Sequence, residues 1–412
     1  MLLFLCVRAC VMLDPVAGAT NALGLSISPL ASTRMGTGKL FQGLVLLSAS
    51  PRIDTLREDA EADNEVFVMA AGCVQDKTAL QVACLRKLDV AAVLRYSPTY
   101  KWDTIEPRGN QNDLPVKGAR SKGLVIVDGN VIPEASWSAL GKRELIADVP
   151  VMATVMAEES DAEPPRRLST WQDLRAAVGE RLDTFGDLWP GGTAAATSLT
   201  EAALRLYPQS TYTDPQLAYE AMVNDVRMLC GTKKALAVLA SASSQNIYLA
   251  VNHLRLEEPV AVVALASDGV RSSVVGAMGG EALVAGYATK YSFHGLDVIL
   301  YMQDEARYKL TAQDKMTAAG LQGLIDTFVR TGSTVTANQF SAPNPLAWSW
   351  KRVTDSPNFV TYDSLRSEPT LDVADITATM GKPRVTMTYD YHTEQCTLWA
   401  HDEMDLQYAS AA

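Results

Sequence analysis

The sequence lacks an excess of basic residues and lacks any long apolar run. It holds 36 Lys and Arg residues against 47 Asp and Glu residues, a formal charge of −11. This balance excludes a nucleic-acid binder that works by neutralising phosphates. No stretch reaches the roughly 18 apolar residues that a spanning helix needs, so we expect no transmembrane segment. The apolar start at 1–13 is interrupted by Arg8, and a buried strand fits it better than a signal peptide.

Residues that commonly bind metals are also scarce. The four histidines are dispersed, and neither a Cys-x-x-Cys nor a His-x-x-x-His spacing occurs. Gly279-Gly280 lacks the Lys-Ser/Thr pair of a phosphate-binding loop. The sequence therefore predicts no metal site and no cofactor. It also contains no Asn-x-Ser/Thr glycosylation sequon, which is unusual for a secreted chain of this size.

What the sequence does contain is enough apolar material for a large core. Hydrophobic residues make up 48% and charged residues 20% of the chain, which excludes disorder. Short apolar segments at 40–48, 149–156 and 246–252 predict strands. Longer helical patterns occupy 65–94, 170–239 and 311–330. Short strands between long helical segments favour an α/β fold with a mostly parallel sheet.

Two positions are candidates for chemistry. Glu158 and Glu159 follow an apolar strand, where α/β enzymes often project a functional carboxylate. His294, followed by Gly295, lies where a loop could hold an imidazole over the sheet edge. A His base, a carboxylate that orients it and a nucleophile at a strand-to-helix turn make up the machinery of nucleophilic hydrolysis. Taken singly, such residues are more often solvated or structural.

Five segments in the same order resemble the type-B carboxylesterase and cholinesterase family, which has the α/β-hydrolase fold. The segments are 39–51, 125–133, 149–160, 294–298 and 328–333. The run Ala157-Glu158-Glu159-Ser160 is similar to that family's strand ending in "DES", and His294-Gly295-Leu296-Asp297 resembles its "HG…E/D" segment. The resemblance extends from about Val11 to Trp399. It implies that Glu159 is the acid and His294 the base of a catalytic triad.

The resemblance also implies two disulfides, Cys73–Cys84 and Cys230–Cys396. Disulfides are typical of oxidising compartments, so we expect an extracellular or cell-surface location. Cys6 and Cys10 have no counterpart in the family pattern.

The sequence departs from the family at the nucleophile. The family's Gly-Glu-Ser-Ala-Gly turn aligns with Asp14-Pro15-Val16-Ala17-Gly18, so Val16 occupies the nucleophile position, and a valine side chain cannot attack a carbonyl. The family's oxyanion loop and first strands have no counterpart upstream. We therefore expect residues 1–412 to form a single, N-terminally truncated domain, the C-terminal three-quarters of the family fold. Such a truncation exposes a sheet edge.

Two functions from different classes follow. The first is a catalytically inactive, esterase-like extracellular protein that recognises a protein partner or acts in cell adhesion, resembling the group of neuroligins, neurotactin and gliotactin. Such a protein could also form a homodimer. The alternative is a carboxylesterase-type serine hydrolase of carboxylic esters, of which this chain is a diverged or truncated copy. A non-catalytic carrier module is a third class that no residue favours.

Overall fold

A mixed sheet organises the chain. The computed structural model describes residues 3–6, 10–15, 17–32, 40–96, 113–117, 125–162, 164, 166–186, 198–260, 288–303, 309–333, 373–379, 382–388 and 390–400. The strands are β1 (Leu3–Cys6), β2 (Cys10–Pro15), β3 (Gly43–Leu47), β4 (Thr55–Leu56), β5 (Ile126–Val127), β6 (Val151–Met156), β7 (Ile247–Asn252), β8 (Val373–Thr379) and β9 (Lys382–Thr388). Seven of them form one sheet in the order β1-β2-β3-β6-β7-β8-β9, and β4 pairs with β5.

Helices separate most of the central strands. They are α1 (Ala17–Ser26), α2 (Pro29–Ser32), α3 (Arg57–Ala70), α4 (Thr78–Leu85), α5 (Val90–Tyr96), α6 (Ser136–Ala139), α7 (Trp171–Leu182), α8 (Leu199–Leu206), α9 (Pro215–Asn224), α10 (Cys230–Ala242), α11 (Leu296–Met302), α12 (Ala312–Thr331) and α13 (Thr393–Trp399). A π-helical turn, Asp225–Leu229, joins α9 to α10. Among the described helices, none is both long and apolar enough to cross a bilayer.

The sheet is mostly parallel, as the sequence predicted. The pairs β2–β3, β3–β6, β6–β7 and β7–β8 are parallel, whereas β1–β2 and β8–β9 are antiparallel. Parallel strands need crossover connections, and the long helical segments supply them. The carboxyl ends of β2, β3, β6 and β7 consequently meet at one edge of the sheet.

Both faces of the central strands are buried, which explains their continuous apolar sequences. In β3, Leu44 and Leu46 pack into one apolar cluster, which includes residues of α1 and α10. Val45 and Leu47 point to the other face and pack in a second cluster with residues of α11 and α12. The strands therefore lie between two helical layers.

The apolar start differs from expectation. We predicted one buried parallel strand over 1–13, but the structure has two strands that pair antiparallel, with Leu3 opposite Leu13 and Cys6 opposite Cys10. Only three residues separate β1 from β2, and so short a connection can join only antiparallel neighbours. As a result β1 covers the edge of β2, and β1 itself is the strand at this edge of the sheet.

The hairpin at the opposite edge was not predicted. β8 and β9 pair in full register, from Val373 opposite Thr388 to Thr379 opposite Lys382. β8 also lies parallel to β7. The alternation of small apolar and Thr residues in both strands was the available signal.

Candidate active site

The predicted acid lies just after a central strand, and the predicted base lies just before a helix. β6 ends at Met156, and Glu159 begins a 3₁₀ turn, Glu159–Ala162. His294 lies two residues before α11, and Gly295 between them has a φ of +81°. Glycine adopts this left-handed conformation without steric cost, which suits the sharp entry into the helix.

Glu159 and His294 are in direct contact. The imidazole Nδ1 is hydrogen-bonded to Glu159 Oε2, and the His294 backbone N–H donates to the Glu159 carbonyl at 3.1 Å. The second carboxylate oxygen accepts the Met156 N–H at 2.8 Å. The Glu159 side chain is 8% exposed and that of His294 is 37% exposed. A carboxylate held in this way places the proton on Nδ1 and makes Nε2 the basic nitrogen.

A second carboxyl group lies close to this pair. Asp297, in the first turn of α11, is buried and accepts a hydrogen bond from Thr154 Oγ1 at 3.2 Å. Burial, followed by repulsion from Glu159, raises the pKa of Asp297 to about 6. The site therefore contains one carboxylate in contact with the His294 imidazole and one buried carboxyl group whose pKa is raised.

The two adjacent glutamates have different environments. Glu158 does not contact the imidazole; its Oε2 accepts the Ser292 N–H at 3.1 Å, and Ser292 in turn accepts the Glu158 N–H at 3.1 Å. Burial raises the pKa of Glu158 above its usual value. Only Glu159 is thus placed to orient His294.

Ser160 connects the site to helix α9. Its hydroxyl hydrogen-bonds to Glu220 Oε2, and Gln216 Nε2 donates to Glu220 Oε1 at 2.6 Å. Glu220 is completely buried, and this burial raises its pKa to about 8. At neutral pH Glu220 is therefore mostly uncharged.

The predicted nucleophile position falls between a strand and a helix. β2 ends at Pro15 and α1 begins at Ala17. Val16 itself lies outside the described residues, so its side chain is known only from the sequence. A strand followed directly by a helix is the topology from which α/β enzymes present a nucleophile. The residue between them, Val16, carries no hydroxyl or thiol.

The structure contains the two disulfides that the resemblance implied. Cys73 is joined to Cys84, between α3 and α4, and Cys230 is joined to Cys396 across 166 residues of sequence. The second bond ties α13 to the start of α10. Both fit an oxidising compartment.

A further His–Asp contact was missed by sequence reasoning. His392 Nδ1 lies 2.7 Å from Oδ2 of the buried Asp225, which also accepts the Tyr207 hydroxyl at 2.6 Å. These residues are 167 positions apart, so no local pattern joins them. The only feature of the sequence that brings them together is that Asp225 lies close to Cys230 and His392 close to Cys396, the two cysteines of the long disulfide.

The remaining histidines have other surroundings. His253 Nε2 lies 3.3 Å from Asp375 Oδ1 and 3.3 Å from the Tyr391 hydroxyl, whereas His401 lies outside the described residues. Across the described part of the chain, no group of three or more His, Cys, Asp or Glu side chains is arranged to hold a metal ion.

The fold of this chain is similar to that of solved esterase structures. PNB esterase is similar with a TM-score of 0.56 and 14% identity over 94% of this chain, and Aspergillus niger EstA with a TM-score of 0.57 and 13% identity over 94% of it. Another PNB esterase structure gives a TM-score of 0.55 and 14% identity over 93%. No protein-family model matches the sequence, and no curated protein matches it significantly.

These similarities establish the α/β-hydrolase type of fold that esterases of this kind have. The chain spans 63% of the length of PNB esterase and of EstA. At such low identity the likeness concerns the fold, and it carries neither activity nor substrate to this chain.

Proposed function

We propose that Glu159 and His294 form the acid–base half of a carboxylic ester hydrolase site. The observation that carries this proposal is the contact between Glu159 Oε2 and His294 Nδ1 at the carboxyl edge of the sheet. The substrate class is proposed by analogy with two esterases of similar fold. In this chemistry His294 Nε2 takes a proton from the attacking group and later gives it to the leaving alcohol, while Glu159 stabilises the charged imidazolium.

The attacking group is what this chain lacks at the aligned position. Val16 has no proton to give and no atom that can bond to an acyl carbon. We therefore propose that the acid–base half is competent and that the covalent acyl-enzyme route is closed in the natural sequence. A hydroxyl at residue 16 is expected to give His294 a nucleophile to activate, which covalent labelling detects.

A gain-of-function experiment tests this proposal. Val16→Ser should become labelled by a fluorophosphonate probe, whereas the natural chain and the matched Val16→Ala variant should not. Adding His294→Gln to Val16→Ser should abolish the labelling, because the general base is lost. If Val16→Ser stays unlabelled although it folds like the natural chain, the acid–base assignment is wrong. If the natural chain is labelled, another residue supplies the nucleophile.

A second candidate function is recognition of a protein partner by an inactive esterase-like shell. Val16 favours this function as well, because a chain with valine at the nucleophile position cannot form an acyl-enzyme there. Two disulfides support an extracellular setting, and the net charge of −11 would steer the chain toward a basic surface. Direct binding of the folded chain to cell-surface proteins tests this idea, and absence of any saturable binding would remove it.

A further inference from the structure

The segment that carries His294 has no regular structure of its own. Residues 290–294, here called the base segment, form neither a helix nor a strand. Tyr291 and Ser292 are nevertheless buried. Buried backbone N–H groups need hydrogen-bond partners, so the position of the base depends on what accepts from this segment.

One short acidic turn supplies most of those acceptors. The turn comprises residues 158–161, here called the acid turn. Asp161 Oδ2 accepts the N–H groups of Lys290 at 2.8 Å and Tyr291 at 2.7 Å. Glu158 Oε2 accepts the N–H of Ser292 at 3.1 Å. The Glu159 carbonyl accepts the backbone N–H of His294 itself.

Asp161 stands out among these acceptors. It is completely buried, and a single oxygen of its side chain receives two backbone donors. Hydrogen bonds to a carboxylate are about twice as strong as neutral ones. Asp161 also lies in the same 3₁₀ turn as Glu159, so the element that carries the acid also holds the segment that carries the base.

Further contacts hold the side chains of the base segment. The Tyr291 hydroxyl donates to Asp214, the N-cap residue of α9, and Arg255 lies 5.0 Å from the centre of the Tyr291 ring. The Ser292 hydroxyl donates to the carbonyl of Asn252 at the end of β7. These contacts restrain side chains, whereas Asp161 restrains the backbone directly.

We propose that Asp161 is a positioning residue that sets the distance between Glu159 and His294 by holding the backbone of the base segment. The catalytic importance of this restraint rests on the proposed function. The restraint itself can be tested without any substrate. An acid and a base that are misplaced by about 1 Å can lose roughly a hundredfold in rate, so such a restraint matters to the chemistry.

The test observes the Nδ1 proton of His294 by ¹H NMR in the full chain. A His proton shared with a carboxylate resonates far downfield, and the chain has only four histidines. The signal is assigned by its loss in Glu159→Gln. In Asp161→Ala we expect the proton to exchange with water at least about tenfold faster, because the pair opens more often. Asp161→Asn keeps an oxygen that can accept both donors, so it should restore slow exchange.

Asp173 offers a matched control. Its Oδ2 also accepts two backbone N–H groups, from Ser169 at 3.1 Å and Thr170 at 2.8 Å, at the exposed start of helix α7. Asp173→Ala should leave the His294 signal unchanged. Unchanged exchange in Asp161→Ala, or equal acceleration in Asp173→Ala, would overturn the proposal.

A measurement on the natural chain covers the case in which Asp161→Ala fails to fold. Hydrogen–deuterium exchange of peptides that span residues 288–295 should be slowed at least about a hundredfold relative to an unstructured peptide. Exchange at the unstructured rate would refute the restraint. Neither experiment involves ester hydrolysis, so a chain that fails the labelling test can still pass this one, and the reverse.

Discussion

Replacing Glu220 by glutamine should stabilise the protein, by an amount that grows with pH. Burial raises the pKa of Glu220 from 4.5 to about 8. The folded state therefore keeps a proton that the unfolded chain releases, and this group makes stability fall as pH rises from about 4.5 to about 8. Each unit of the gap corresponds to about 1.4 kcal/mol. In the natural chain the raised pKa of Glu220 is expected to lower the free energy of unfolding by about 1 kcal/mol at pH 5, about 3 kcal/mol at pH 7 and nearly 5 kcal/mol at pH 9.

Glutamine removes the titration while keeping the shape. Its carbonyl can accept from Gln216 Nε2, and the Ser160 hydroxyl can rotate to accept from the new amide. Urea unfolding near pH 5, 7 and 9 measures the difference in free energy of unfolding between variant and natural chain. Glu144→Gln, at an exposed site, is the control and should show no pH-dependent difference. A Glu220→Gln difference that stays constant over the three pH values would refute the reasoning.

Three further predictions test other parts of the fold. Gly332→Ala should cost about 1–2 kcal/mol in thermal unfolding because Gly332 has a φ of +65°, whereas Gly323→Ala, in the open interior of α12, should be neutral or stabilising. Replacing Cys230 and Cys396 together by alanine should cost about 5 kcal/mol by the loop-closure estimate, and an unchanged urea midpoint would contradict it. Asp225→Ala should lower the free energy of unfolding by about 1–3 kcal/mol, because the buried Tyr207 hydroxyl loses its acceptor. Equal stability of the variant and the natural chain in urea would show that water replaces the carboxylate.

The parts of the fold that sequence reasoning predicted are those with local signals. The strands around residues 43–47, 151–156 and 247–252 are almost entirely apolar because both of their faces are buried. Helix α12 has Thr311 as its N-cap with Asp314 completing a capping box, and Gly332 ends it. Such signals lie within a few residues of the elements that they determine.

The parts that were missed depend on distant partners. Residues 1–13 are apolar whether they form one strand or two, and only the pairing of Leu3 with Leu13 distinguishes these. The contact between Asp225 and His392 joins two elements that are far apart in the sequence. The Glu159–His294 contact also joins residues far apart in the sequence, and only a resemblance to known sequences pointed to it. Val16 as a lost nucleophile stays a prediction from sequence.

The long disulfide has a practical consequence for the intact chain. His294 lies inside the loop closed by Cys230 and Cys396, whereas Glu159 lies outside it. One proteolytic cut anywhere within that loop leaves two pieces that are still covalently joined. A nicked protein would therefore migrate as one species without a reductant and as two with it. A cut between Cys230 and His294 would place Glu159 and His294 in different fragments, and the disulfide would still hold those fragments together.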